Sequence, residues 1–463
     1  MNKLRLLLGI FIIVMMSLAL TACKSVDDQE VVDTGIPKDA INNEAFKEKF
    51  PLQYEDYQML KGDGEPPRSK FEDDLEPLIP ILFNGGVFAS EHNVTRGHYY
   101  AIEDQANVLR INDKSPGGCL TCKSTAAPKL IAEEGDDFWK PGSFHEMHAK
   151  GEELDQSAVG CVTCHDPQTM DLRLSTPVVE EGLKLQGIDV AYATRNDLRS
   201  LACAQCHSEY YFAPSDNKVT FPWKEGFKAE EMLSYFNGEI RESGFERDFV
   251  SNISGADMIK AQHPEYEMSR SGPHAKADVS CADCHMPFKI DLGKKYSNHK
   301  LGSPLETMDA SCSPCHTNRD MDDLKKQVQD GQKAFKEGLA VAQETSAYAH
   351  YYVNKMITSG VDADKIAEAQ EAVRNGQWFW DYNAAENSHG FHNPQGAMEN
   401  NMKSIQYSNQ AIKIATEELV KKGVDIDELK AEIKKVINAV KAEPDPAKKK
   451  DLATNHYFPS QQP

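Results

Sequence analysis

The sequence contains little positive charge for its length. Its 463 residues include 51 lysine and arginine residues against 72 aspartate and glutamate residues, which gives a formal net charge of −21. Proteins that bind nucleic acids usually present basic surfaces to the phosphate backbone. We therefore expect no nucleic-acid partner.

Long hydrophobic runs are also missing, apart from one at the N-terminus. That run extends from Leu6 to Leu20, follows two basic residues and precedes Cys23, which is the order of an export signal. Its ending, LTAC, resembles a bacterial lipobox. We predict a lipoprotein signal peptide at 1–22 and a lipid on Cys23 that anchors the exported chain to the outer face of the cytoplasmic membrane. An ordinary signal peptide or an uncleaved anchor are the alternatives.

Cysteine is nearly absent outside closely spaced pairs. Of 11 cysteines, ten lie in five Cys-x-x-Cys pairs, and the other is Cys23. Four pairs are followed directly by histidine, which is the attachment signature of a c-type haem: the thiols bond to the porphyrin and the imidazole binds the iron. These segments are Cys161, Cys164 and His165; Cys203, Cys206 and His207; Cys281, Cys284 and His285; and Cys312, Cys315 and His316.

Other uses of paired cysteines explain the pattern less well. Structural disulfides need no histidine at a fixed offset. Zinc ribbons bring two pairs to one ion, and five pairs cannot be divided into twos. A thioredoxin-like motif usually occurs once, near a βαβ unit. The pattern therefore favours haem.

The remaining pair, Cys119 and Cys122, is followed by Lys123 where the iron ligand is expected. Either this is a degenerate haem site with an accidental lysine, or a neutral lysine amine is the axial ligand. Burial and the metal charge both favour the neutral amine. We interpret the segment as a fifth haem site and as the place where substrate reacts.

The four histidine-ligated irons also need distal ligands. Four histidines lie in loops rich in glycine, proline or asparagine, where the backbone can approach a flat cofactor. They are His98, His274, His299 and His392. His389 is an alternative to His392.

The distribution of turn-forming and helix-forming residues along the chain predicts a mainly α protein with little sheet. We divide it into a flexible tether at 23–42, a pentahaem-binding catalytic region at 43–320, a long-helix region at 321–442 and a loose tail at 443–463. The second region is rich in turn-forming residues, which predicts short helices and long loops around five haems. Amphipathic spacing in the third predicts long C-terminal helices that form a dimer face or an internal core.

Two further segments sharpen the interpretation: Cys206-His207-Ser208-Glu209-Tyr210-Tyr211-Phe212 and Lys260-Ala261-Gln262-His263-Pro264-Glu265. Together with one Cys-x-x-Cys-Lys followed by four Cys-x-x-Cys-His, they make the chain resemble the ammonia-forming pentahaem cytochrome c nitrite reductases over about residues 50 to 400.

This resemblance implies a catalytic haem on Lys123, surrounded by Tyr210, His263 and an arginine. Arg110 matches the family's Leu-Arg context, and Arg96 is the alternative. The resemblance also implies which distal histidine serves each haem. These are His299 for the second, His98 for the third, His392 for the fourth and His274 for the fifth.

The resemblance further implies one Ca²⁺ beside the active site. Its ligands would be the Glu209 carboxylate, the Gln262 side-chain oxygen and the carbonyls of Tyr210 and Lys260. The expected reaction is the six-electron reduction of nitrite to ammonium. The expected partners are a membrane quinol-oxidising multihaem cytochrome as electron donor and a second copy of the chain. A multihaem electron carrier without substrate turnover is the alternative, and hydroxylamine or sulfite are further possible substrates.

Overall fold

The computed structural model of the chain describes residues 33–70 and 76–455. The predicted signal peptide, Cys23, the first part of the tether and the end of the tail lie outside these residues. Within the described ranges, no helix is both long enough and apolar enough to cross a membrane.

Residues up to 320 form short helices joined by loops, as predicted. Local capping sets several of their starts: the Thr194 hydroxyl accepts the Asp197 backbone N–H at 3.1 Å, and the Asp197 carboxylate accepts the Thr194 N–H at 2.8 Å. The α-helices are Pro51–Gln58, Ile79–Leu82, Ala101–Ala106, Ala127–Glu134, Phe144–Glu153, Cys161–Cys164, Val178–Leu185, Arg195–Ala204, Ala229–Asn237, Glu239–Glu242, Glu265–Arg270, Pro273–Lys276, Cys281–His285 and Met308–Ser311. Single 3-10 turns cover Asn43–Phe46, Met59–Lys61, Val87–Ala89, His98–Tyr100, Gly117–Leu120, Gly135–Trp139, Val190–Tyr192 and Pro304–Glu306.

Sheet is confined, in the described ranges, to antiparallel two-stranded hairpins. Tyr211–Phe212 pairs with Val219–Thr220, Phe249–Val250 with Asp257–Met258, and Phe288–Asp291 with Lys294–Ser297. The prediction of little sheet is confirmed. These pairs are too small to form a core, so the helices and the cofactor cavity organise the fold.

The predicted long C-terminal helices are present. They are Met321–Thr358, Ala363–Ala385, Pro394–Lys421 and Ile426–Ala442. The Asp320 side chain caps the first helix by accepting the Asp322 and Asp323 N–H groups. Gly360 and Gly423 follow two of the helices with φ of 65° and 78°, a left-handed conformation that glycine adopts without steric cost.

The first three long helices pack against one another, and the second is the most deeply buried. Its Trp378, Trp380 and Tyr382 side chains are almost fully excluded from solvent. Arg374 on the same helix is also buried and donates to the carbonyls of Glu246 and Asp257, each at 2.8 Å. This helix therefore joins the bundle to the loop-rich region that holds the cavity.

The prediction of a flexible tether is wrong for its described part. The Thr34 hydroxyl donates to the Pro167 carbonyl at 2.6 Å, and the Thr34 N–H donates to the Gln168 carbonyl at 2.8 Å. Ile36 is buried with Phe46 and Val162. The polar composition of this segment does not reveal its contacts, because its partners lie more than a hundred residues further along the chain.

The prediction of a loose tail is also wrong for Pro446–Asn455, which is helical. Proline is favoured in the first turn of a helix, and the alanines and lysines that follow are good helix formers. The helix is fixed by tertiary contacts: the Tyr351 hydroxyl donates to the Ala453 carbonyl at 2.8 Å, and the Asn84 amide donates to the Thr454 hydroxyl at 2.9 Å.

Candidate active site

A cavity of about 1530 Å³ runs through the loop-rich region. Pockets for one small molecule usually measure roughly 300–1,000 Å³. Residues from all five Cys-x-x-Cys segments line this cavity. None of their ten cysteines forms a disulfide. The space and the free thiols fit several large cofactors held side by side.

Four histidines of the Cys-x-x-Cys-His segments each face a second histidine across the cavity. The ring centres are 6.1 Å apart for His207 and His98, 6.3 Å for His165 and His299, 6.2 Å for His285 and His392, and 6.4 Å for His316 and His274. An iron bound by two imidazoles would separate their ring centres by roughly 6 Å, because each metal–nitrogen bond is about 2 Å long. Each gap therefore fits one iron, and the pairs are those that the resemblance implies.

His207 has a second histidine neighbour, His263, whose ring centre is also 6.1 Å away. The Glu265 carboxylate separates these two rings, since its oxygens lie 3.8 Å from the Nδ1 atoms of His207 and His263. The Nδ1 side of His207 therefore faces Glu265. His98 is the neighbour that remains for a metal on the Nε2 side.

Burial favours the neutral, metal-binding form of several of these histidines. Loss of hydration lowers the pKa of His98 to about 3 and that of His165 to about 4. The other ring nitrogen is engaged in several cases: His165 Nδ1 donates to the Met170 carbonyl at 2.8 Å, and His299 Nδ1 donates to the Ser297 carbonyl at 2.7 Å. These bonds fix the tautomer and leave Nε2 for iron.

Lys123 lines the same cavity next to Cys122. The Cys122 thiol lies 3.5 Å from the Gln205 carbonyl oxygen, and the Cys281 N–H donates to the Ser200 hydroxyl at 3.2 Å. These contacts place the lysine segment next to the His207 segment, and the His207 segment next to the His285 segment. Cofactors bound there lie in a continuous series.

Tyr210 and His263 lie close to this lysine segment. Burial, with the nearby thiols of Cys119 and Cys122, raises the pKa of Tyr210 above its usual range, so the phenol remains protonated. Burial lowers the pKa of His263, while Glu265 opposes the shift. His263 Nδ1 has no hydrogen-bond partner within the described part of the chain.

The two candidate arginines have different surroundings. Arg96 is held by the Asp104 carboxylate, with Nε–Oδ1 at 2.8 Å, and by Glu103 at 2.8 Å; its guanidinium also stacks on the Tyr100 ring at 3.9 Å. Arg110 lines the cavity and has no ion pair with a carboxylate among the described residues. Arg110 is therefore the better placed of the two to bind an anion.

Two lysines and a histidine lie near Arg110 but outside the lining of the cavity. The pKa of the partly buried His92 is lowered, first by loss of hydration and then by the charges of Lys70, Lys260 and Arg110. His92 was not singled out from the sequence, because nothing in its neighbours distinguishes it. Lys70 pairs with Glu76 at 3.6 Å and Lys260 with Asp381 at 2.9 Å, so among the described residues Arg110 is the cation of this group that remains for an anionic ligand.

The four residues predicted to bind calcium also come together. Glu209 is fully buried; its Oε2 accepts the Gln262 N–H at 2.6 Å, and its Oε1 has no hydrogen-bond partner among the described residues. Gln262 Nε2 lies 3.0 Å from the Lys260 carbonyl oxygen. An amide turned by 180° would place its oxygen beside that carbonyl, which is an arrangement that suits a hard cation.

The model of the cytochrome c552 family matches residues 42–462. The chain belongs to this family. Cytochromes of the c type carry haem covalently bound to Cys-x-x-Cys segments. As a member of this family, the chain carries covalently bound haem c.

Two curated relatives match most of the chain. The cytochrome c nitrite reductase subunit NrfA of Nitratidesulfovibrio vulgaris is 38% identical over 426 residues, which cover 84% of this chain and 80% of that protein. Cytochrome c-552 of Bacteroides fragilis is 37% identical over 382 residues, covering 80% of this chain and 75% of that protein. The predicted resemblance is confirmed.

A solved structure is similar in fold. It is the catalytic subunit NrfA of the cytochrome c nitrite reductase from Desulfovibrio desulfuricans, described with two calcium sites. It matches with a TM-score of 0.77 and 35% identity, covering 86% of this chain and 91% of that one. The prediction of a mainly helical multihaem cytochrome fold is confirmed.

Sequence reasoning missed two carboxylates that contact the site histidines. Glu265 lies between His207 and His263, and Glu386 Oε1 accepts from His392 Nδ1 at 2.6 Å. Glu265 belongs to a segment singled out for other residues, so its proximity to His263 was a usable signal. Glu386 lies six residues before His392 in a loop, and no spacing rule connects them.

Proposed function

We propose that this protein is an ammonia-forming nitrite reductase. It would reduce nitrite to ammonium with six electrons at a haem ligated by Lys123, supplied by four haems with two histidine ligands each. The observation that carries this proposal is the asymmetry of the ligands: four segments have facing imidazoles, while the fifth has an amine beside Tyr210, His263 and Arg110. The nitrite reductase relatives support the substrate.

When bound, haem supplies single-electron transfer and, where one axial position is open, a site for substrate. Four positions would be closed by the pairs His207 and His98, His165 and His299, His285 and His392, and His316 and His274. These haems suit electron transfer. The contact of Cys122 with Gln205 and that of Cys281 with Ser200 support a short path from the fourth haem through the third to the first.

The residues around Lys123 suit the binding and protonation of a small anion. Arg110 would supply a fixed positive charge and hydrogen-bond donors to the nitrite oxygens. His263 would deliver protons, since imidazole is a common proton donor in catalysis and the Glu265 carboxylate, 3.8 Å from its Nδ1, attracts a proton to the ring. Tyr210, protonated and partly buried, would donate a hydrogen bond to the reacting group.

Calcium fits the Glu209 pocket. An orphaned, fully buried carboxylate oxygen is costly unless a cation or donor meets it, and Glu209 Oε1 is such an atom. Glu209, Gln262 and the carbonyls of Lys260 and Tyr210 would bind one Ca²⁺. The ion would hold the Tyr210 backbone and the segment before His263 in place, and add positive charge for substrate.

The export signal and Cys23 support an extracytoplasmic, lipid-anchored protein that receives electrons from a membrane quinol-oxidising multihaem cytochrome. The long helices would form a homodimer. Residues exposed on them include Val341, Met398, Met402 and Val420, each more than half accessible to solvent. Such exposed apolar side chains are typical of a contact surface.

The proposal is tested by the ammonium formed per nitrite consumed, using haem-loaded protein and a reduced viologen dye. We expect a one-to-one ratio with rapid turnover. If the haems oxidise the dye while nitrite is not consumed, the protein is an electron carrier instead. Parallel assays with hydroxylamine and sulfite would rank the other substrates.

A further inference from the structure

We propose that Glu386 is a positioning residue that lowers the reduction potential of the haem between His285 and His392. Its carboxylate accepts a hydrogen bond from His392 Nδ1 at 2.6 Å, and its side chain is only 1% exposed. The inference rests on the histidine pairing in the proposed function, and it concerns a residue that has no part in substrate binding.

The geometry fixes which nitrogen of His392 can meet a metal. Because the carboxylate can only accept, Nδ1 must carry the proton, and the lone pair of Nε2 is free. The ring of His285 lies on the other side of the cavity, 6.2 Å away between ring centres. His392 is therefore oriented by Glu386 toward the position of the iron.

Glu386 is itself held in place. Its Oε2 accepts the Ser388 hydroxyl at 2.7 Å, and its Oε1 also accepts the Ser388 N–H at 3.1 Å. The Ser388 hydroxyl in turn accepts the His392 N–H at 2.9 Å, which closes the loop from residue 386 to residue 392. These donors satisfy the buried carboxylate and hold it against His392.

This arrangement differs from those at the other ligand histidines. His165, His299 and His285 donate from Nδ1 to neutral backbone carbonyls, of Met170, Ser297 and Gly302 respectively. The Nδ1 atom of His207 is 3.8 Å from Glu265, beyond hydrogen-bond distance. Among the described residues, His392 alone of these has a carboxylate within 3 Å.

A carboxylate on the far nitrogen makes the imidazole a stronger electron donor. Stronger donation favours the ferric iron, which carries one more positive charge than the ferrous iron. The one-electron potential of this haem is thereby lowered relative to a haem with neutral partners. Electrons that reach it would pass on readily to the His207 haem, because the Cys281 N–H donates to the hydroxyl of Ser200, three residues before Cys203, at 3.2 Å.

The test is a potentiometric titration of the haem-loaded protein with Glu386→Gln, followed by visible and electron paramagnetic resonance spectra. Glutamine keeps an acceptor for His392 but removes the charge. We expect the midpoint potential of one low-spin haem to rise by about 59 mV, which for one electron is a tenfold change in its redox equilibrium. Its low-spin signal should shift, and Glu386→Asp should remain near the unmodified protein.

The matched control is Glu371→Gln. Glu371 lies on the helix Ala363–Ala385 that precedes Glu386, pairs with Arg241 at 3.0 Å and does not line the cavity, so no midpoint should move. Unchanged midpoints in Glu386→Gln, equal shifts in the glutamine and aspartate variants, or loss of the low-spin signal would each overturn the proposal. Failure of the histidine pairing would be recognised separately, as fewer than four low-spin haems in the unmodified protein.

Discussion

The Gln262 backbone N–H donates to Glu209 Oε2 at 2.6 Å and leaves Glu209 Oε1 buried without a hydrogen-bond partner among the described residues. The two residues come from segments more than fifty positions apart, and the carbonyl of Lys260 is 3.0 Å from the Gln262 amide. A carboxylate in this position is oriented for a cation rather than for solvent. The pairing connects the segment that carries Tyr210 to the segment that carries His263.

We therefore expect Glu209→Gln to lose bound calcium. The variant removes the only charge among the proposed ligands, and affinity for Ca²⁺ depends strongly on ligand charge. Calcium per chain, measured by atomic emission, should fall from one to near zero, and nitrite turnover should fall with it. Glu368→Gln, at an exposed carboxylate paired with Lys365, is the control and should change neither. Full calcium content in Glu209→Gln would show that these residues do not form the site.

Replacing Lys123 by histidine should keep the covalent haem but lower nitrite turnover, by roughly one to two orders of magnitude. The thioether bonds depend on Cys119 and Cys122, whereas the axial ligand sets the electronic properties of the iron. Haem per chain and steady-state kinetics measure the two effects separately. Lys129→His, on the helix Ala127–Glu134, should behave like the unmodified protein. Unchanged kinetics in Lys123→His would contradict a catalytic role.

The two candidate arginines should give opposite phenotypes. Arg110→Ala should lower kcat/KM for nitrite by about 100-fold, the usual cost of losing one anion-stabilising donor, without lowering the unfolding temperature. Arg96→Ala should mainly lower the unfolding temperature, because it leaves Asp104 without its guanidinium partner. Kinetics and thermal unfolding of both variants decide between them. A kinetic defect confined to Arg96→Ala would transfer the substrate role to Arg96.

The haem-attachment segments could be predicted from local sequence. The contacts made by the two ends of the described chain could not. Covalent attachment requires two cysteines and a ligand within five residues, so the segment from Cys161 to His165 is recognisable from the sequence alone. Ile36 gives no such signal, because its contact with Val162 depends on tertiary packing. The helix Pro446–Asn455 could not be predicted for the same reason: its partners, Tyr351 and Asn84, are distant in sequence.

The residues around the candidate active site show the same difference between what sequence reveals and what it does not. Tyr210 and His263 were identified because they belong to short segments shared with a known family. Glu386 was missed because it reaches His392 through the conformation of a loop. Likeness to a known family therefore identified Tyr210 and His263, whereas Glu386 could be found only from the structure.

The buried ion pair of Lys260 and Asp381 should be a major element of stability. Its Nζ–Oδ1 distance is 2.9 Å, and the side chains are 5% and 2% exposed. Lys260→Met would leave Asp381 charged and unpaired, at a cost of about 3–5 kcal/mol. Thermal unfolding should show a clear drop that Lys260→Met/Asp381→Leu partly restores. Lys365→Met, at an exposed pair, should change little. An equal drop in both single variants would argue against burial as the cause.

The exposed methionines Met398 and Met402 test whether the long helices form the dimer. They lie four residues apart on the helix Pro394–Lys421, so they share one face, and they are 59% and 67% exposed. We expect the unmodified protein to sediment as a dimer and Met398→Glu/Met402→Glu to sediment as a monomer, because burying two carboxylates in an apolar contact is costly.

Met59→Glu provides the matched control for this dimer test. Met59 is 56% exposed but lies outside the long-helix region, so this variant should remain dimeric. Sedimentation velocity at several protein concentrations separates a weakened dimer from an abolished one. A monomeric unmodified protein, or a double variant that stays dimeric, would move the contact away from this face. The helices would then serve only the internal core, to which Trp378 and Trp380 already belong.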